Sequence, residues 1–267
     1  MTIWEKDFEA IRIEKNESWA TLWLDRPDVK NALSERMTLE LIEALDFIAT
    51  DKTIRGVALR GANGCFCAGA DLKEFERNFM SHNTTREQII KMSMGAAQLF
   101  RRVYTMPKIV VALVEGPAFA GGFGLVCCSD FVLGTRNAKF SISETKIGLT
   151  PAQIAPYIIE RIGKRNAKNL MLSGISFTGT EAHHYGIIDQ LAENESDLEK
   201  QFYLLKKTLK ACAPEATAIT KEILISHDQI KSSEVITFLA NKFADCMVNR
   251  EAKEGLQAFL EKRNPKW

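Results

Sequence analysis

Cysteine is sparse and unpatterned in this chain. Cys65, Cys67, Cys127, Cys128, Cys212 and Cys246 have neither metal-ligand spacing nor the density of a disulfide scaffold in 267 residues. They are expected as reduced, buried thiols. Charge excess is missing too: 35 Lys and Arg face 34 Asp and Glu, for a net charge of +1. No global field therefore draws the chain to nucleic acid or to an anionic membrane surface, and neither is expected as a partner. No apolar run approaches the ~18 residues that span a bilayer. The opening MTIWEKDFEA carries acids and no hydrophobic leader core, so a cytoplasmic location is expected. His183-His184 is the one histidine pair, and adjacent helical positions point apart, which makes a poor metal site. Glycines 121, 122 and 124 do not form a dinucleotide fingerprint, Gly163-Lys164 lacks the rest of a phosphate loop, and no GxSxG elbow occurs. No metal or cofactor is expected.

What is present is an ordinary globular balance, 46% hydrophobic and 26% charged residues. Trp19 to Leu24 reads as a strand stopped by Asp25-Arg26-Pro27, and Ser34 offers an N-cap to a helix with Met37, Leu41, Leu45 and Ile48 at the helical period. Ile54 to Arg60 reads as a second strand, running into GANGCFCAGADLKEF. A helix over 85–105, with Leu99, Phe100 and Val103 on one face, leads to a strand at 108–114 and another glycine turn at 116–124. Repeated β and α units with short connections predict an α/β core with parallel strands over residues 1–193. Polar residues 76–88 predict a surface loop. From 194 to 267 no strand pattern appears; segments 198–213, 214–226, 232–248 and 251–262 read as helices, with Pro214 suited to a first turn.

The stretch 107–151 organises the chain. The buried-strand run Ile109 to Val114 ends in small residues, Ala118, Ala120, Gly121 and Gly122, before an apolar helix through Leu125 to Cys128. The first amides of a helix have no internal partner, so such a turn suits a developing negative oxygen. A second glycine turn, Cys67-Ala68-Gly69-Ala70-Asp71-Leu72, also follows a strand. If both strands share a sheet, both turns leave one edge and can each donate an amide to one oxygen. About twenty residues beyond the glycines, Glu144 is the first carboxylate of the next segment, in the run Phe140 to Glu144, before a loop with Gly148 and Pro151. Two amides and a carboxylate make a candidate acyl-thioester site.

Arg26-Pro27 with Lys30-Asn31-Ala32-Leu33, then Phe66 to Leu72, the 116–130 turn ending in Asp130, and Phe259-Leu260-Glu261-Lys262-Arg263 together resemble the crotonase superfamily of enoyl-CoA hydratases and isomerases. The resemblance runs the whole chain, in order. It implies a superhelix of repeated ββα units, a C-terminal helical region (194–267) that builds trimers often paired into hexamers, and an acyl-CoA thioester as substrate, with coenzyme A part of that substrate. It also implies that the amides of Ala70 and Gly121 form the oxyanion hole. Ala68, Asp71 and Leu72, with Val29 and Ala32 nearby, would line the adenine and pantetheine path, and Phe259 and Lys262 would reach the coenzyme of a neighbouring subunit.

One departure stands out. Hydratases of this family usually hold one water between two glutamates; the second corresponds to Glu144, but Gly124 stands at the first. A single-carboxylate mechanism is expected, with Gly124 leaving room for a second water or a substrate branch. The wording around Gly124-Leu125, Cys127 to Asp130, Ser143-Glu144 and the Glu254-to-Trp267 ending resembles a bacterial branch that hydrates 3-methylglutaconyl-CoA or its isohexenyl homologue. A Δ3-Δ2 enoyl-CoA isomerase, or a CoA-binding protein without chemistry, are the alternatives. Lys146 is the basic residue closest in sequence to Glu144 that could meet a distal carboxylate, though a solvent-facing lysine is the simpler expectation.

Truncation after Glu254 removes Phe259 and Lys262. It is expected to weaken CoA affinity and disturb assembly, read by titration calorimetry and light scattering; unchanged affinity in an intact assembly would refute the role the resemblance gives these two residues.

Overall fold

The computed structural model describes residues 3–79 and 84–267. Its strands are β1 (Ile11–Asn16), β2 (Trp19–Leu24), β3 (Gly56–Gly61), β4 (Ile109–Val114), β5 (Ala118–Phe119), β6 (Phe131–Thr135), β7 (Lys139–Ser141), β8 (Ser176–Thr178) and β9 (Gln190–Ala192). The helices are α1 (Glu35–Thr50), α2 (Leu72–Phe79), α3 (Arg86–Tyr104), α4 (Gly121–Cys128), α5 (Ala155–Ser173), α6 (Gly179–His184), α7 (Glu195–Lys210), α8 (Pro214–Ser226), α9 (Val235–Val248) and α10 (Arg250–Leu260). A six-stranded sheet runs β1-β2-β3-β4-β6-β9, with β1 antiparallel to β2 and the remaining pairs parallel. A smaller sheet, β5-β7-β8, stands beside it. This is the α/β crotonase-like arrangement that the sequence predicts.

The central strands are buried on both faces, which is why β3 and β4 read as continuous apolar runs. Alternate residues separate the faces. Val57, Leu59, Val110 and Ala112 join the main core with α1, α3 and α4, whereas Ala58, Val111 and Leu113 face Leu198, Phe202 and Leu205 of α7. Phe202 meets Trp19 edge-on at 5.4 Å between ring centroids. The first helix after residue 193 thus closes the second face of the sheet. Ser34 caps α1 by accepting from the Met37 amide at 3.1 Å, and Pro214 opens α8, both as the sequence predicts.

The 76–88 segment is not a loop throughout. Residues 76–79 continue α2, and α3 begins at Arg86 under a Thr85–Gln88 capping box; 80–83 lie outside the described residues. Polar composition hid the run of α2 to 79, whereas the start of α3 agrees with the helix expected over 85–105.

Two features mark the C-terminal helices. On α9, Ile236, Leu239, Phe243 and Met247 recur at three- and four-residue steps and are all exposed, an apolar stripe of the kind that marks an interaction surface. On α8, Lys221 reaches into the sheet: its ammonium donates to Asp130 Oδ2 at 2.8 Å and to the Lys108 carbonyl at 3.3 Å. The same Asp130 oxygen accepts the Val110 amide at 2.7 Å. Burial pushes the Asp130 carboxyl pKa up and the Lys221 ammonium pKa down, so each depends on the other to stay charged.

Lys221→Ala leaves Asp130 buried without its cation and is expected to cost about 3 kcal/mol. Chemical denaturation checks this, and a loss under about 0.5 kcal/mol would show that α8 is held by apolar packing alone.

Candidate active site

β3 and β4 are parallel neighbours, with Arg60 opposite Leu113, so the turns after them leave the same edge. There they are bonded together. The Cys67 amide donates to the Pro117 carbonyl at 3.0 Å, and the Phe119 amide to the Cys67 carbonyl at 2.9 Å. Two glycines permit the approach. A β-carbon on Gly69, whose φ is +97°, would lie 2.9 Å from that of Ala120, and one on Gly122 would lie 2.5 Å from the Cys67 carbonyl oxygen.

The 26–33 segment fixes the first turn from its other side. The Leu33 amide donates to Gly69 O at 2.7 Å, Asp71 N to Leu33 O at 3.0 Å, and Ala68 N to Lys30 O at 3.0 Å. Buried Asn31 gives its amide nitrogen to the carbonyls of Ala62 and Cys65 and accepts from Arg26 N. Arg26 in turn pairs with Asp71 at 2.9 Å and donates to Ala32 O at 2.8 Å. The Arg26 and backbone donors around it pull the Asp71 carboxyl below its usual pKa against the opposing effect of burial.

This bonding uses the amides of Cys67, Ala68 and Asp71 and leaves that of Ala70 without an acceptor among the described residues. Gly121 is the first residue of α4, so its N–H is free as well. Ala120 before it sits at φ 48°, ψ −120°, a strained setting for a residue with a β-carbon. The sequence placed the sharp turn on Ala118, Ala120, Gly121 and Gly122 together; the structure puts its strain on Ala120.

Glu144 arrives by the small sheet. β5 pairs with β7, the Ala120 amide donates to Ser141 O at 2.9 Å, and Glu144 opens a short 3-10 turn, Glu144–Ile147, three residues on. Gly148, at φ +78°, ends that turn, and the Leu149 amide bonds Glu144 O. One carboxylate oxygen, Oε2, is buried with no partner. Burial raises the carboxyl pKa, opposed only by the residue's own amide. A desolvated carboxylate oxygen without a partner among the described residues marks a candidate functional group, because it costs stability and repays none in the resting fold.

The expectation for Gly124 is corrected. No room remains beside it: a β-carbon there would lie 2.2 Å from Ile154 Cγ2 and 3.0 Å from Phe100 Cε1. Gly121 is walled likewise by Leu33 Cδ1 and Phe100 Cζ, at 3.0 and 3.6 Å from where its β-carbon would be. Leu33, Phe100 and Ile154 are the site residues that sequence reading missed as such. Nothing local could have brought Ile154 to Gly124.

Of the remaining predicted residues, Val29 and Leu72 are exposed, Ala68 is half-buried and Ala32 buried in the same loop cluster. The Asp71 carboxylate is spent on Arg26 and on the Glu74 amide at the start of α2. Lys146 is exposed with its stem against Gly174 at the end of α5. Phe259 and Lys262 stand apart from the site. Their segment is anchored at the other edge of the sheet, where Glu251 accepts the Glu215 amide, Trp267 donates to Ala211 O at 3.0 Å, and Arg55, just before β3, donates to Cys212 O. Phe259 is 82% exposed.

Two amides without acceptors among the described residues, on bonded turns that leave neighbouring strand ends, and a carboxylate carried by the small sheet joined to the second turn are what an enzyme needs to polarise a carbonyl and move a proton next to it. The chain belongs to the enoyl-CoA hydratase/isomerase family, whose model matches residues 14–267. It is 34% identical over 257 residues to a Thermus thermophilus protein named as an enoyl-CoA hydratase, covering 96% of this chain and 100% of that one. Among solved structures, an enoyl-CoA hydratase/isomerase from Marinobacter aquaeolei is 37% identical with TM-score 0.91, covering 97% of this chain and 98% of that one. Pseudomonas aeruginosa AtuE is 34% identical with TM-score 0.92, covering 96% and 98%.

Glu144→Gln is expected to lower turnover at least about 10²-fold. Because the raised pKa means that ionised Glu144 opposes folding as pH rises through it, the same variant should match or exceed the parent's Tm at neutral pH. Near-normal turnover would remove Glu144 as the base; a marked fall in Tm would show it to be structural.

Proposed function

We propose that the chain is a cytoplasmic lyase that reversibly hydrates the α,β double bond of a branched enoyl-CoA, such as 3-methylglutaconyl-CoA or its isohexenyl homologue. The observation that carries this is the buried Glu144 oxygen without a partner among the described residues, on a segment bonded through Ser141 to the turn that bears the free Gly121 amide. The amides of Ala70 and Gly121 take the thioester oxygen as it gains charge, each worth roughly 3 kcal/mol in the transition state. Glu144 removes a proton from the attacking water and, in the reverse direction, protonates the departing hydroxyl, worth about 10²–10⁴ in rate. Leu72, Ile147 and Leu149, all exposed and next in sequence to Ala70 or Glu144, support an apolar substituent on the substrate. The exposed stripe on α9 supports assembly of residues 194–267 into a trimer, or a hexamer of two trimers, with Phe259 and Lys262 delivered to a neighbour's coenzyme.

A second reading, Δ3-Δ2 isomerisation, draws support from the apolar wall at Gly124, since moving a double bond needs one base that takes and returns a proton. Purified protein is expected to process 3-methylglutaconyl-CoA or an isoprenoid homologue at least about tenfold better in kcat/KM than crotonyl-CoA, as befits a satisfied polar contact. Equal efficiency with crotonyl-CoA would defeat the branched substrate. Rapid conversion of 3-enoyl-CoA to 2-enoyl-CoA without any hydration would make isomerisation the activity.

A further inference from the structure

Gly124 lies on α4 one helical turn beyond the free amide of Gly121, and β-carbons at the two positions would both meet Phe100, so a second acid–base side chain on this face of the helix would stand at 124. Ile154 fills that place. It is 2% exposed, and both its Cγ2 and its Cβ fall within 3.0 Å of where a β-carbon at 124 would stand. It has little freedom to retreat. Cγ2 is fixed to a branched carbon, the Ile154 amide donates to Pro151 O at 3.1 Å, and the neighbouring Gln153 side chain donates to Ser93 Oγ of α3, which also carries Phe100.

We propose that Ile154 is a positioning residue that fills the space which Gly124 would otherwise leave for a second proton carrier, a water or a side chain, and so keeps proton transfer on Glu144, a proposal that rests on the hydratase reading above. The step balances with one carboxylate. Glu144 takes a proton from water as the water oxygen bonds C3; the C2=C3 pair moves toward the thioester, whose oxygen is held by the amides of Ala70 and Gly121. The enolate C2 then takes that proton back from Glu144, leaving the 3-hydroxyacyl-CoA and the carboxylate restored. With no second carboxyl required to stay protonated, kcat/KM should rise with pH through the elevated Glu144 pKa and then stay level.

The test compares the parent with Gly124→Glu, Ile154→Gly and the double variant, by thermal unfolding and by the pH profile of kcat/KM with the best enoyl-CoA found. Gly124→Glu alone should lower Tm by roughly 3–10 °C, as overpacking does. The double variant should recover at least half of that loss relative to Ile154→Gly, the signature of direct coupling. Its profile should gain an alkaline limb. If Gly124→Glu does not fold, Gly124→Ala reads the same clash through its β-carbon alone. A Gly124 variant as stable as the parent, an additive pair, or a parent profile already falling on the alkaline side each overturns the proposal. Absence of hydration with every enoyl-CoA overturns the hydratase reading instead, while the unfolding comparison still decides whether Ile154 holds the place.

Discussion

The abutment of two backbone turns is the constraint on which the rest depends. The Gly69 turn touches the Ala120–Gly121 turn so closely that a single added carbon at 69 or 122 would collide, and each turn carries one N–H without an acceptor among the described residues. Everything around it holds the contact in register: the parallel β3–β4 ladder, Asn31 stapling the loop carbonyls, and the Arg26–Asp71 pair. Preorganised donors do not reorganise when charge develops, which is why a rigid frame is worth building for two amides. The strained backbone of Ala120 is compatible with that rigidity, because packing on both sides leaves the residue no easier conformation.

Glu144 shows the opposing tendency. It is the last residue one would bury for stability, with one oxygen desolvated and unpaired, and it is carried on a short turn instead of a long element. A small sheet of three short strands delivers it, so its placement depends on few bonds, notably Ala120 to Ser141. The fold therefore spends rigidity on the amides and tolerates a local cost at the carboxylate.

Much of this was legible in the chain because it is local. Strand runs bounded by proline and glycine, the Ser34 cap and the glycine turns each follow from a few neighbouring residues, and the shared edge follows from adjacent parallel strands. Glu144 was legible as the first carboxylate of the segment that follows the turn and its helix. The run of α2 to 79 was masked by the polar residues around it, whereas the start of α3 at Arg86 agrees with the helix expected over 85–105. Ile154 was not legible at all: it is an apolar residue thirty positions from Gly124, and only the packing of α5 on α4 makes its methyl group a wall. Ala120 was legible as part of the turn, but not as the residue with the positive φ, since sequence logic assigns unusual backbone angles to the glycines beside it first.

The Lys221–Asp130 pair joins positions 91 residues apart, and its consequence is temporal. A chain emerging from a ribosome at 5–20 residues per second exposes Asp130 about 5–20 s before its cation exists. In that interval Asp130, at the start of β6, lacks the cation that offsets its burial and is better satisfied by water than by the Val110 amide. Sealing that end of β4 and β6 is thereby tied to the docking of α8.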